Sequence, residues 1–158
     1  MTTQAETPDS SERSLAGTKI LIVDDEKDTV GLAKLVLENA GAEIFCAYNG
    51  EELWEGLDDE RWGFPDLILL DLKMPLMDGI EVCKKLKKDS KFRKIPILVF
   101  TAKISRDARK EATLAGAGGY ITKPFVAKNL PPKIKEMIDN AKEESKGEEN
   151  TTSASPKS

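Results

Sequence analysis

DLILLDLKMPLMDG, residues 66–79, runs four consecutive apolar side chains into an aspartate, then a proline, a second aspartate and a glycine. A strand with one face in water alternates apolar and polar positions. The unbroken run within DLILL at 66–70, Leu67 to Leu70, needs cover on both faces, which a parallel sheet between two helical layers supplies. Asp71 then stands at the carboxyl end of that strand. Met74-Pro75 and Asp78-Gly79 shape the loop beyond it, because proline fixes φ and glycine admits positive φ. Asp78 reads as the N-cap of a helix over 79–88.

The same pattern recurs on either side. KILIV at 19–23 and IPILVF at 95–100 are apolar at successive positions, GGYIT at 118–122 is a weaker strand, and AEIFCAY at 42–48 alternates as an edge strand does. Helices fit between them. Residues 27–40 place Val30, Ala33, Leu37 and Ala40 on one stripe, with Gly41 as the stop. Residues 50–59 follow Asn49, with Glu52 three positions on as a capping partner. Residues 105–115 are weakly amphipathic. Residues 130–142 align Leu130, Ile134, Met137, Ile138 and Ala141, with Pro131 and Pro132 in the tolerant first turn.

Five strand–helix pairs favour a parallel sheet. About 125 residues are too few for an eight-fold barrel, so the expected fold is an open, doubly wound α/β sheet of five strands and five helices. The expected boundaries are a disordered tail at 1–17, one domain at 18–142 and a second disordered tail at 143–158. Both tails are rich in Ser, Thr, Glu, Lys and Pro.

Composition removes several functions. The chain has 158 residues, 39% hydrophobic and 33% charged, as a globular domain requires, and no histidine. Histidine catalysis, histidine metal ligands and a phosphohistidine carrier are thereby excluded. A net charge of −4 argues against a general nucleic-acid binder. The first 17 residues lack the apolar stretch of a signal peptide and the other apolar runs are too short to span a bilayer, so a cytoplasmic location away from membranes is expected. Cys46 and Cys83 fall in a strand and a helix outside any CxxC spacing and read as reduced thiols.

In an open α/β sheet the ligand site lies beyond the carboxyl ends of the strands. Here those ends carry Asp24-Asp25-Glu26, Asp71, Thr101 and Lys123-Pro124. Taken singly each has a plainer reading: the acids as helix caps, Asp71 as a turn residue, Thr101 as a structural hydroxyl, Lys123 as a solvated charge. Together they form one chemistry. Crowded carboxylates need a cation, and an all-oxygen set that keeps waters suits Mg²⁺. A phosphoryl group on Asp71 would find Mg²⁺, the Lys123 ammonium and the Thr101 hydroxyl for its oxygens, and phosphoryl transfer depends on such positioning and charge neutralisation.

VDDE at 23–26, LLDLKMPLMDG at 69–79, FTA at 100–102 and YITKPF at 120–125 resemble the response-regulator receiver domain of two-component signalling, over residues 18 to about 142. Asp25, Asp71, Thr101 and Lys123 are separated by 46, 30 and 22 residues, one or two strand–helix repeats each. The resemblance implies a flavodoxin-like sheet with strand order 2-1-3-4-5. It implies that Asp71 accepts a phosphoryl group, that Asp25 binds Mg²⁺ directly and Asp24 through water, and that the Lys73 backbone carbonyl is a further metal ligand. Thr101 and Lys123 would bind the phosphoryl oxygens, the peptide to Pro124 would be cis, and Tyr120 would swing inward as Thr101 moves. Lys73 and Lys103, two residues past the acceptor and the threonine, would modulate phosphate lifetime, with the long side chains obstructing water and slowing self-hydrolysis.

The partners so implied are a sensor histidine kinase or phosphotransfer protein and a downstream protein not named by the sequence, met on a face that includes Arg106, Arg109, Lys110 and Tyr120. A phosphorylation-dependent homodimer is among the partners the resemblance allows. About 16 residues follow the last helix, so a stand-alone receiver acting by protein contact or as a relay intermediate is expected, not an enzyme. Three other readings fit the residues less well. A haloacid-dehalogenase-like phosphatase has a second aspartate two residues after the first, where this chain has Lys73, and a P-loop NTPase needs a GxxxxGK[ST] that is absent. A degenerate receiver serving only as a docking module fits poorly with an intact acidic set.

Overall fold

The computed structural model describes residues 13–102 and 105–154, with side chains through Glu144. Five parallel strands form one sheet: β1 (Lys19–Val23), β2 (Glu43–Ala47), β3 (Leu67–Leu70), β4 (Ile97–Thr101) and β5 (Gly119–Thr122), ordered β2-β1-β3-β4-β5. Every residue of β3 and β4 is buried, as are the last four of β1, while the edge strands β2 and β5 are mostly intermediate. The unbroken apolar runs thus mark the central strands, covered on both faces as their sequence demands.

Five helices connect them: α1 (Lys27–Asn39), α2 (Gly50–Asp58), α3 (Gly79–Lys88), α4 (Arg106–Ala115) and α5 (Leu130–Ala154). Local chemistry sets their starts. Asn49 Oδ1 accepts from the Glu52 N–H at 2.8 Å while Glu52 Oε1 accepts from the Tyr48 N–H at 2.7 Å, a reciprocal cap. Asp78 and Ser105 cap α3 and α4 through the Ile80 and Ala108 N–H groups. Successive strand residues face opposite ways, so the sheet divides the core. On one side Ile20, Ile22, Leu69, Leu98 and Phe100 pack with Val30, Leu37, Ile134 and Ile138 of α1 and α5. On the other, Leu21, Val23, Ile68, Leu70 and Ile97 pack with Leu53, Leu57, Val82 and Leu86 of α2 and α3.

Three features depart from the sequence expectation. Residues 13–17 form a turn instead of belonging to a tail: Leu15 is 1% exposed in the α1/α5 core, and its N–H donates to the Ala40 carbonyl at 2.9 Å. The turn lies directly over Gly41, whose φ is +101° and where a Cβ would come within 2.9 Å of the Ala16 backbone. Residues 1–12 of the expected tail lie outside the described residues. At the other end α5 does not stop at 142 but runs to Ala154, its extension past 142 carrying four glutamates but also Gly147, Asn150 and two threonines. The loop after Asp71 is tighter than expected, with Lys73–Met74 and Met77–Asp78 paired as a two-residue antiparallel hairpin. Cys46 is half-buried and Cys83 buried, both as free thiols.

Leu15→Ala is expected to destabilise the fold by about 2–5 kcal/mol, the cost of deleting a fully buried leucine. Leu114→Ala, at a 78% exposed position, should stay within about 0.5 kcal/mol of wild type. Urea melts of the two variants check this, and equal midpoints would show that the N-terminal turn adds nothing to the core.

Candidate functional site

The carboxyl ends of β1, β3, β4 and β5 bring Asp24, Asp25, Asp71, Thr101 and Lys123 to one rim. Asp71 follows β3 directly, and its N–H donates to the Val23 carbonyl at 2.9 Å, which locks the end of β3 to the end of β1. The Lys123 N–H donates to the Thr101 carbonyl at 2.8 Å and locks β5 to β4 in the same way. One carboxylate oxygen from each of Asp24, Asp25 and Asp71 lies within 4.8 Å of the others. Asp24 is fully buried, Asp71 is 3% exposed and Asp25 is exposed.

Lys123 is the counter-charge. Its ammonium lies 2.7 Å from Asp24 Oδ2, 2.8 Å from Glu26 Oε1 and 3.2 Å from Asp71 Oδ2. The Lys123–Pro124 peptide is cis, as expected. Asp24 Oδ1 accepts from the Glu26 N–H at 3.0 Å, and Asp71 Oδ1 accepts from the Lys73 N–H at 3.1 Å. The cap position of α1 falls to Glu26, which makes no side-chain cap bond. Asp24 is thus turned into the rim and not onto α1, against the plainer reading of it as a helix cap.

The electrostatics follow from this crowding. Burial pushes the Asp71 carboxyl up to about 6; the Lys73 N–H opposes that rise, the charge of Asp24 adds to it, and Lys123 opposes it. Burial works against the Lys123 ammonium, but its bonds to Asp24 and Glu26 and the charges of Asp71 and Asp24 outweigh it and hold its pKa above the ordinary lysine value. The Lys123 hydrogen bond and charge hold Glu26 below the usual carboxylate range.

Asp24 Oδ2 is held by the Lys123 ammonium alone, while the buried Thr101 hydroxyl has no hydrogen-bond partner among the described residues. Such an orphaned hydroxyl is costly unless a further group completes it. An oxygen-only trio is the donor set a hard divalent cation takes, and opposite ligands of Mg²⁺ sit about 4 Å apart, close to the spread of these three. The residues present therefore fit Mg²⁺.

The sequence reading missed Glu26 as a partner of Lys123. The two are 97 residues apart, and the one available signal was its place as the third acid of the β1 end. Tyr120 lies on β5 with its ring against Arg109, 4.1 Å from the guanidinium carbon to the ring centre. Lys73 is exposed in the hairpin. Lys103 lies outside the described residues.

A family model described as the response regulator receiver domain matches residues 20–135. Among curated proteins, the chain is 38% identical over 120 residues to the alkaline phosphatase synthesis transcriptional regulatory protein PhoP of Bacillus subtilis, covering 76% of this chain. The chain spans about half the length of that relative, 48%. Among solved structures it is similar to a CheY-like response regulator receiver domain protein from Methanospirillum hungatei, with a TM-score of 0.73, 32% identity, and coverage of 80% of this chain and 98% of that one. It is also similar to the Mn²⁺-bound form of response regulator Rcp1, with a TM-score of 0.65, 28% identity, and coverage of 75% and 90%.

The raised Asp71 pKa fixes the sign of a pH effect. The folded value of about 6 lies above the ordinary 3.8, so the fold disfavours the ionised form. The penalty is absent at acid pH, grows as pH rises from about 4 to 6, and is complete at neutral pH. Asp71→Asn should therefore stabilise the metal-free chain at pH 7.5 by about 2 kcal/mol, with the gain shrinking as pH falls through 6 toward 4. Mg²⁺ should stabilise the wild type above pH 6 and do so less at pH 5. Paired thermal melts with and without Mg²⁺ check both, and a pH-independent gain for the Asn variant would refute the assignment.

Proposed function

The chain belongs to the response regulator receiver family, and from that premise we propose that it is a phosphorylation-dependent signalling switch whose acceptor is Asp71. Receiver domains of two-component signalling are phosphoacceptor switches, which is the coarse function of this chain. The finer reading rests on one observation: the buried Asp71 carboxylate has the Lys123 ammonium at 3.2 Å and shares its rim with an unpartnered threonine hydroxyl.

In the proposed transfer an Asp71 carboxylate oxygen attacks the phosphorus of a phosphohistidine donor. The new O–P bond forms as the P–N bond breaks, and the leaving imidazole nitrogen keeps the electron pair and takes up a proton from solvent. Asp24, Asp25, Asp71 and the Lys73 carbonyl would hold Mg²⁺. When bound, that ion neutralises negative charge that would otherwise accumulate between acceptor and donor. Lys123 contributes a second, fixed positive charge, already desolvated and aimed at Asp71. Thr101 offers a donor with no competing bond among the described residues, so a phosphoryl oxygen would satisfy it.

The proposed donor is a sensor histidine kinase or phosphotransfer protein, and the proposed output is contact with a downstream protein on the face carrying Arg106, Arg109, Lys110 and Tyr120. No described helix is long and apolar enough to cross a membrane. A cytoplasmic setting is part of the proposal.

Incubation with acetyl phosphate and Mg²⁺, followed by intact-mass measurement, tests the acceptor. The wild type should gain one phosphoryl group and Asp71→Asn none, while Lys123→Gln should react at least about tenfold more slowly. Labelling of Asp71→Asn at the wild-type level would sink the proposal. A second expectation concerns lifetime: Lys73→Ala combined with Lys103→Ala should lose phosphate faster than wild type, since two long side chains then no longer obstruct in-line water. Unchanged or slower loss contradicts it.

A further inference from the structure

We propose that Arg109 is a positioning residue: its guanidinium stacks on the Tyr120 ring, holds that ring at the outer edge of the sheet, and so sets how readily the Asp71 site passes to its activated state. The inference rests on the switch reading given above and adds to it a restraint that the α4–β5 contact supplies.

The strand register couples Tyr120 to the site. β4 and β5 pair Val99 with Tyr120 and Thr101 with Thr122. In a parallel pair the partners share a face, and alternate residues along a strand share it too. Thr101 and Tyr120 therefore project from the same side of the sheet, one step apart. Thr101 is buried with an unpartnered hydroxyl, whereas Tyr120 is only partly buried. A ring movement along that face toward Thr101 would enter space next to the phosphoryl site.

The contact opposing such a movement comes from α4. Arg109 stands one turn into that helix, with its N–H bonded to the Ser105 carbonyl at 2.9 Å and its own carbonyl accepting from Thr113 Oγ1. Its guanidinium carbon is 4.1 Å from the Tyr120 centroid, while the other cation–ring contacts of the described residues are 5.0 Å or longer. Among the described residues Arg109 makes no ion pair, so the stack is the interaction that fixes its side chain. Both residues border a surface depression of about 300 Å³ with Phe125, Val126 and Asn129. A guanidinium on an exposed aromatic face holds a two-position ring with about a two- to fivefold preference.

The test needs no partner protein, which matters because Arg109 also lies on the proposed output face. Tyr48 and Tyr120 are the two tyrosines of the chain, so incorporated fluorotyrosine gives two ¹⁹F resonances, assigned with Tyr48→Phe. Beryllofluoride with Mg²⁺, a phosphoryl mimic, is titrated into wild type, Arg109→Ala, Arg109→Lys and Asp71→Asn. In Arg109→Ala the resting Tyr120 resonance should move toward its activated position and the midpoint should fall about two- to fivefold, with Arg109→Lys in between and Tyr48 unmoved. An Arg109→Ala midpoint equal to or above wild type, with an unchanged resting resonance, overturns the inference while leaving the switch reading intact. A wild-type Tyr120 that ignores beryllofluoride, or an Asp71→Asn variant that responds equally, overturns both.

Discussion

The Lys123 ammonium is the constraint on which the rim depends. A parallel sheet delivers its strand ends to one edge, and here two of those ends, of β1 and β3, carry four acids between them. Two of the carboxylates are nearly inaccessible to water, where like charges cannot be held together without a counter-ion. Lys123 meets Asp24, Glu26 and Asp71 at once and supplies it. Among the described residues the rim is under-neutralised: four acids, counting Asp25, face one ammonium. Burial still raises Asp71 despite that ammonium, so the metal-free rim stores an unfavourable charge that a divalent cation relieves.

Much of this was legible in the sequence because burial on both faces leaves an unmistakable mark. KILIV, DLILL and IPILVF became β1, β3 and β4 within two residues at either end, and the sheet order implied by the receiver resemblance is the order observed. The caps at Asn49 and Asp78 were readable because their chemistry is local. The rim could be assembled from the order of strand ends alone.

What escaped was set by contacts without periodicity. Leu15 is a single apolar residue in a Ser-, Arg- and Gly-containing segment, and nothing local marks it as core. The continuation of α5 past 142 escaped because a stretch without an apolar stripe reads as solvated chain, whether or not its backbone is helical. The Glu26–Lys123 contact and the Arg109–Tyr120 stack join different elements, and residue spacing carries no information about side-chain reach.

The division of the core by the sheet gives the molecule a one-sided optical signal. Both tryptophans, Trp54 and Trp62, pack with the α2/α3 half, and the Trp62 ring sits so close over Gly56 that a Cβ there would collide with it. The opposite half, under α1 and α5, contains no indole among its packed residues. Intrinsic emission during denaturation therefore watches one face of the sheet, while far-ultraviolet dichroism averages both. Coincident transitions in the two signals would mean that the strands weld the halves into a single cooperative unit; separated transitions would reveal that one helical layer peels off first.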